Sequence, residues 1–117
     1  MTARLGPRRL LLWVIMVVSV NAARLAMAEF QDGNVLYGAC FSQSSYEQGI
    51  CLGFIQGIAD ALAGNAINGF TACLPAHVTA GQARDVVTRF LASHPETRHL
   101  AAAGMVARPL AEAFPCR

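Results

Sequence analysis

The sequence contains no lysine, so arginine supplies all nine of its basic side chains. Four of these arginines precede residue 29, and the five that follow are outnumbered by seven acidic residues. Residues 29–117 therefore carry a formal charge of −2, although the whole chain carries +2. Because nucleic-acid binding requires clustered positive charge, the composition predicts no nucleic-acid partner.

Motifs of common enzyme classes are also missing. The chain has no Gly-x-Ser-x-Gly elbow, no glycine-rich phosphate loop and no Cys-x-x-Cys pair. Its three histidines, His77, His94 and His99, fall in predicted loops or helix ends, where a solvated ring is the ordinary state. We therefore expect a binding protein rather than an enzyme, with no metal and no cofactor.

The only long apolar segment is too short to span a membrane. Leu10–Val20 has eleven residues, whereas a spanning helix needs roughly twenty. Three arginines precede this segment, and Ala26-Met27-Ala28 follows it as a small-x-small cleavage pattern. These features predict a secretory signal peptide over residues 1–28 and an exported domain over residues 29–117, with no membrane attachment after cleavage.

The exported domain is predicted to be all-α, because no stretch alternates in the two-residue manner of a strand. Caps and helical periodicity indicate four helices, which predict a small four-helix bundle. The first opens at Asp32-Gly33-Asn34 towards Cys40; the second starts at Ser44 or Ser45 and runs to about Ala63; the third runs from Thr79 to Ser93; and the fourth starts at the Ser93-x-x-Glu96 cap and ends at Phe114-Pro115.

Two patterns lie on the second helix. Tyr46, Ile50, Phe54, Ile58 and Leu62 form an apolar stripe that we expect to face the core. Gly49, Gly53 and Gly57 are predicted to let another helix approach closely, so Gly53→Leu should disrupt folding. The glycine face could also support a contact between two copies, which leaves a homodimer open.

The four cysteines, Cys40, Cys51, Cys73 and Cys116, predict two disulfides that staple a small exported domain. Three pairings are formally allowed. The helix order favours Cys40–Cys51 across the first interhelical loop and Cys73–Cys116 at one end of an antiparallel third and fourth helix. Cys51–Cys73 with Cys40–Cys116 is the main alternative.

A family pattern runs through Leu36–Cys116. Its parts are Cys51-Leu52-Gly53-Phe54-Ile55-Gln56-Gly57, Cys73-Leu74-Pro75, His94-Pro95-Glu96 and Ala113-Phe114-Pro115-Cys116. In this order they resemble the Rap/Tai immunity family, whose members protect bacteria against peptidoglycan amidases delivered by type VI secretion. The resemblance implies a periplasmic protein that inhibits an amidase effector stoichiometrically, by placing a loop in its active-site cleft.

Two segments are candidates for presenting that loop, because loops held by a disulfide or by tight caps bind without a large ordering cost. One is the stretch after the second helix, with Asn68, Gly69 and Phe70; the other is the turn after the third helix, with His94, Glu96, Arg98 and His99. Two alternative functions remain: a toxin-independent periplasmic binding or stress module, and an acid-stress chaperone.

Overall fold

A computed structural model describes residues 6–12 and 30–117 of the chain. Residues 7–12, within the predicted signal peptide, are helical. The remainder of that peptide, including the predicted cleavage site after Ala28, lies outside the described residues. Among the helices that the structure describes, none has the length and apolar character needed to cross a membrane.

Four α-helices build the domain: α1 (Gly33–Cys40), α2 (Ser45–Ala61), α3 (Ala80–Ser93) and α4 (Ala102–Ala113), with a 3-10 turn at Pro95–Thr97. Over residues 30–117 there are no strands, only the isolated bridges Asp32–Ala101 and Ile67–Phe70. The predicted all-α fold is confirmed.

Three helices begin where the sequence places their caps. The Asp32 carboxylate accepts a hydrogen bond from the Val35 amide at 2.9 Å, and the Ser44 hydroxyl accepts one from the Glu47 amide at 3.5 Å. At α3 the capping box is complete, because Thr79 and Gln82 each accept a bond from the other's backbone amide, at 3.1 and 2.8 Å. These side chains satisfy amides that lack a partner within the helix.

The predicted start of the fourth helix at Ser93 is wrong. The Ser93 hydroxyl donates back to the Arg89 carbonyl at 2.9 Å, so it closes α3 and does not cap the next helix. The chain then makes the 3-10 turn and a second turn at residues 98–99, and Ala101 forms an isolated bridge with Asp32 before α4. Backbone bonds hold this part beside the start of α1, from the Gly33 amide to Leu100 and from the Ala102 amide to Gln31.

The core lies between the four helices. On α3 the buried side chains are those of Ala83, Val87, Phe90 and Leu91. The remaining buried core side chains come from the other helices and the loop after α2: Leu36, Cys51, Ile55, Leu62, Ala72, Ala102, Met105, Val106, Ala107 and Leu110.

The predicted inner stripe of α2 is wrong at its first half. Tyr46 and Ile50 are exposed, at 76% and 36%, and the fully buried positions are Cys51, Ile55 and Leu62.

The glycine prediction is also wrong, because Gly49, Gly53 and Gly57 are exposed and a Cβ atom on any of them would meet nothing within 4 Å. No helix of the described chain packs closely on these glycines.

Candidate partner-binding surfaces

The two disulfides join Cys40 to Cys51 and Cys73 to Cys116, each with 5.0 Å between the Cα atoms. The predicted pairing is confirmed and the alternative pairing is excluded. Beside the second disulfide, the Cys73 amide donates to the Phe114 carbonyl at 2.8 Å. The loop between α2 and α3 is therefore fixed to the end of α4 by a covalent bond and a hydrogen bond.

A tight hairpin forms the middle of that loop. Ile67 and Phe70 exchange backbone hydrogen bonds of 3.0 and 2.9 Å, and the two residues between them have positive φ, 49° at Asn68 and 79° at Gly69. Positive φ at both central positions is the requirement of a type I′ turn, for which Asn-Gly is a preferred sequence. The chain at this tip thus has a defined conformation without any partner.

The hairpin is also fixed by its side chains. Ile67 and Phe70 are partly buried against the core, and the Asn68 side chain lies over α4, where a methyl group on Gly104 would be 2.7 Å from Asn68 Nδ2. Gly69 remains exposed. Of the three predicted binding residues in this segment, Phe70 therefore supports the turn, while Asn68 and Gly69 form its tip.

In the turn after α3, too, one predicted binding residue supports the turn while others are exposed. The His94 ring stacks on Phe90, with 4.1 Å between centroids, and His94 Nδ1 lies 2.9 Å from the Phe90 carbonyl oxygen. A bond to that carbonyl requires hydrogen on Nδ1. His94 therefore anchors the turn, whereas Glu96 and His99 are exposed to solvent.

Arg98 is the one cation of this turn, and it is half-buried. Its guanidinium carbon lies 3.9 Å from the centre of the Tyr37 ring. Tyr37 also contacts Phe41, with 4.5 Å between ring centroids. We call these three residues the Arg98 cluster. It joins α1 to the turn after α3 and exposes half of the Phe41 side chain, at 51%.

Sequence reasoning identified Arg98 but missed Tyr37 and Phe41. Their spacing of four residues on α1 was the available signal, because aromatic side chains at i and i+4 lie on one helix face. The contact between Tyr37 and Arg98 had no such signal, since the two residues are far apart in sequence and meet only through the fold.

An open groove of about 560 Å³ lies between the end of α2 and the start of α3. Its lining is mainly apolar, and Asp60 supplies its only carboxylate. Over residues 6–12 and 30–117, no three histidine, cysteine or acidic side chains are grouped closely enough to hold a metal ion. The groove offers no acid–base pair and no nucleophile.

Comparison with known proteins gives one match. A family model described as Rap1a immunity proteins matches residues 32–116. No curated protein and no solved structure matches the chain significantly. The matched range contains α1 to α4, both disulfides and both candidate segments.

Proposed function

Because the chain belongs to the family of Rap1a immunity proteins, we propose that it is a periplasmic inhibitor of a peptidoglycan amidase effector delivered by type VI secretion. The main support for this proposal is the extent of the family match, because the match covers the whole helical domain and not an isolated motif. In this role the protein performs no chemistry. It binds one effector molecule and occludes its active site.

Export to the periplasm is supported by the two disulfides and by the predicted signal peptide. Disulfides form and persist in oxidising compartments such as the periplasm, and all four cysteines of the chain are paired. An inhibitor in the periplasm is in the same compartment in which a delivered amidase reaches peptidoglycan. Removal of residues 1–28 would release the domain from the membrane during export.

We assign the occluding surface to the hairpin tip and the turn after α3. The exposed residues available for contact are Asn68 and the backbone of Gly69 on the hairpin, and Glu96 and His99 on the turn. The hairpin is closed by its own backbone hydrogen bonds, and the turn is bonded to the start of α1 through Leu100 and Gly33. A pre-ordered loop loses little conformational entropy on binding, so more of its contact energy appears as affinity.

Binding is tested by calorimetry with the protein purified from the periplasm and each amidase effector of its own strain. We expect one-to-one binding to one effector, together with loss of that effector's peptidoglycan cleavage. The absence of binding to every amidase effector would contradict the proposed target and would favour a toxin-independent periplasmic role.

Two variants test the assigned surface. Asn68→Asp keeps the turn, because Asp-Gly also forms type I′ turns, but it places a charge at the hairpin tip. Glu96→Ala with His99→Ala removes the exposed side chains of the other segment. We expect each change to weaken binding about tenfold, or about 1.4 kcal/mol. Gln56→Glu, which makes an amide-to-carboxylate change on exposed α2, should leave the affinity unchanged.

A further inference from the structure

Arg98 carries a charge that has no carboxylate partner within residues 30–117. The ion pairs of this part of the chain are Arg84–Asp85 and Arg108–Glu112. Arg98 Nε is buried and has no hydrogen-bond acceptor among the described residues. A buried charged donor without an acceptor costs free energy. Another molecule cannot reach the buried Nε, so an acceptor that it brings would have to bind the terminal nitrogens of this half-buried side chain.

We propose that the Arg98 cluster binds a carboxylate side chain of the partner protein. The proposal rests on the proposed function, which supplies that partner as the amidase effector. A guanidinium presents its donors as a planar fork that matches the two oxygens of a carboxylate. The contact of the guanidinium carbon with the Tyr37 ring, at 3.9 Å, restrains the side chain before the partner arrives, so less side-chain entropy is lost on binding.

The surroundings of the cation favour a protein partner. Phe41 is 51% exposed beside Tyr37, and Leu100, two residues after Arg98, is 46% exposed. Arginine and aromatic side chains are the residues most enriched at the energetic centres of protein interfaces. Tyr37, which contacts the guanidinium, and Phe41, which contacts Tyr37, would exclude water from one side of the pair and strengthen its hydrogen bonds.

The charge of the cluster favours a single carboxylate over a polyanion. Arg98 is the only arginine in the cluster, and residues 29–117 carry a net negative charge. Polyanions such as nucleic acids gain affinity by contacting many cations at once. One fork beside aromatic rings instead fits one acidic side chain.

A titration tests carboxylate binding without any effector. The ¹⁵N-labelled protein is titrated with N-acetyl-glutamic acid amide, and the Arg98 Nε–H signal is followed by NMR. We expect a saturable shift in the millimolar range, with no shift for the neutral N-acetyl-glutamine amide. Because Arg98→Gln has no Nε–H, the backbone amide signals of residues 97–100 are followed as well. Loss of their response in that variant, with the remaining spectrum unchanged, would locate the site. A wild-type Arg98 signal that does not respond to the carboxylate overturns the proposal.

Glu29 lies outside the described residues and close in sequence to the start of α1. The titration is therefore repeated with Glu29→Gln, in which the chain's own nearby carboxylate is removed. We expect this variant to bind the added carboxylate at least as tightly as the wild type. Loss of the response would show that the shift reported a change at Glu29, which would also overturn the proposal.

The effector measurement separates this proposal from the proposed function. We expect Arg98→Gln to weaken effector binding at least tenfold and to reduce its salt dependence, and Arg98→Lys to recover only part of the affinity because ammonium lacks the planar fork. Equal binding by Arg98→Gln and the wild type would overturn the carboxylate site while the immunity role stands. A wild type that binds the carboxylate probe but no amidase would reject the amidase target alone.

Discussion

At the scale of single residues, two glycines of α1 have opposite surroundings. A methyl group on Gly33 would lie 2.7 Å from the Arg98 carbonyl oxygen and 3.0 Å from Arg98 Cα. A methyl group on Gly38 would meet nothing within 4 Å. Gly33 is therefore required by the close approach of α1 to the backbone that carries Arg98, whereas Gly38 is not required by any contact.

This contrast predicts opposite effects of the same substitution. Gly33→Ala should lower the free energy of unfolding by about 1–3 kcal/mol, because backbone cannot move aside as a flexible side chain can. Gly38→Ala should raise it by up to about 1 kcal/mol, because alanine favours the helix. Urea unfolding of the two variants measures the difference. Equal effects of both changes would contradict the close approach at Gly33.

At the scale of the elements, the orientation of α2 shows why a sequence stripe can mislead. Positions four apart advance about 40° beyond a full turn, because the α-helix has 3.6 residues per turn. From Tyr46 to Leu62 this drift reaches about 160°, so the two residues lie on opposite sides of the helix. The face of α2 that packs on the core is the one with Cys51, which the disulfide to Cys40 holds inward. The face with the glycines is exposed.

The exposed glycines predict that α2 tolerates larger residues. Gly53→Ala should raise the free energy of unfolding by about 0.5–1 kcal/mol through helix propensity alone, and Gly53→Leu should still fold. Thermal unfolding of the purified variants gives the result. A loss of stability would instead show that another molecule covers this face, and sedimentation of the wild type would then distinguish a second copy of the chain.

The helix caps predict unequal costs at α2 and α3. Thr79→Ala removes a reciprocal capping box with bonds of 3.1 and 2.8 Å, so we expect a loss of about 1–2 kcal/mol in unfolding free energy. Ser44→Ala removes one bond of 3.5 Å and should cost less, about 0.5 kcal/mol. The two variants are compared in one denaturation series. A larger effect at Ser44 would contradict this order.

At the scale of the whole molecule, local signals could predict most of the fold. The caps at Asp32, Ser44 and Thr79 identify helix starts because each satisfies amides within three residues of itself. The antiparallel order of the last two helices favoured the pairing of Cys73 with Cys116, which the structure confirms. Contacts between distant segments carry no comparable signal, so neither the bonding of residues 31–33 to 100–102 nor the stacking of Arg98 on Tyr37 could be predicted.

The two disulfides should differ in their access to reductant. Cys73 and Cys116 are both exposed, whereas Cys51 is 1% exposed in the core. Because exchange requires a thiolate to reach a sulfur atom, dithiothreitol should open Cys73–Cys116 first in the native protein. Brief reduction, alkylation and mass spectrometry should find the label on Cys73 and Cys116. Label appearing first on Cys40 and Cys51 would contradict the lower access expected for a bond that joins the half-buried Cys40 to the buried Cys51.

The Cys73–Cys116 bond should also stabilise the protein more than the Cys40–Cys51 bond does, because it restricts a longer stretch of the unfolded chain. Cys73–Cys116 spans 43 residues and Cys40–Cys51 spans 11, so loss of loop closure costs about 4 and about 3 kcal/mol respectively. Replacing Cys73 and Cys116 by alanine also removes the covalent bond between the end of α4 and the loop that carries the Asn68 hairpin, and leaves only the backbone hydrogen bond from residue 73 to Phe114. We therefore expect this double variant to lose stability in urea and, because the hairpin must then be ordered on binding, to bind the effector more weakly. Unchanged stability would show that packing alone holds the loop.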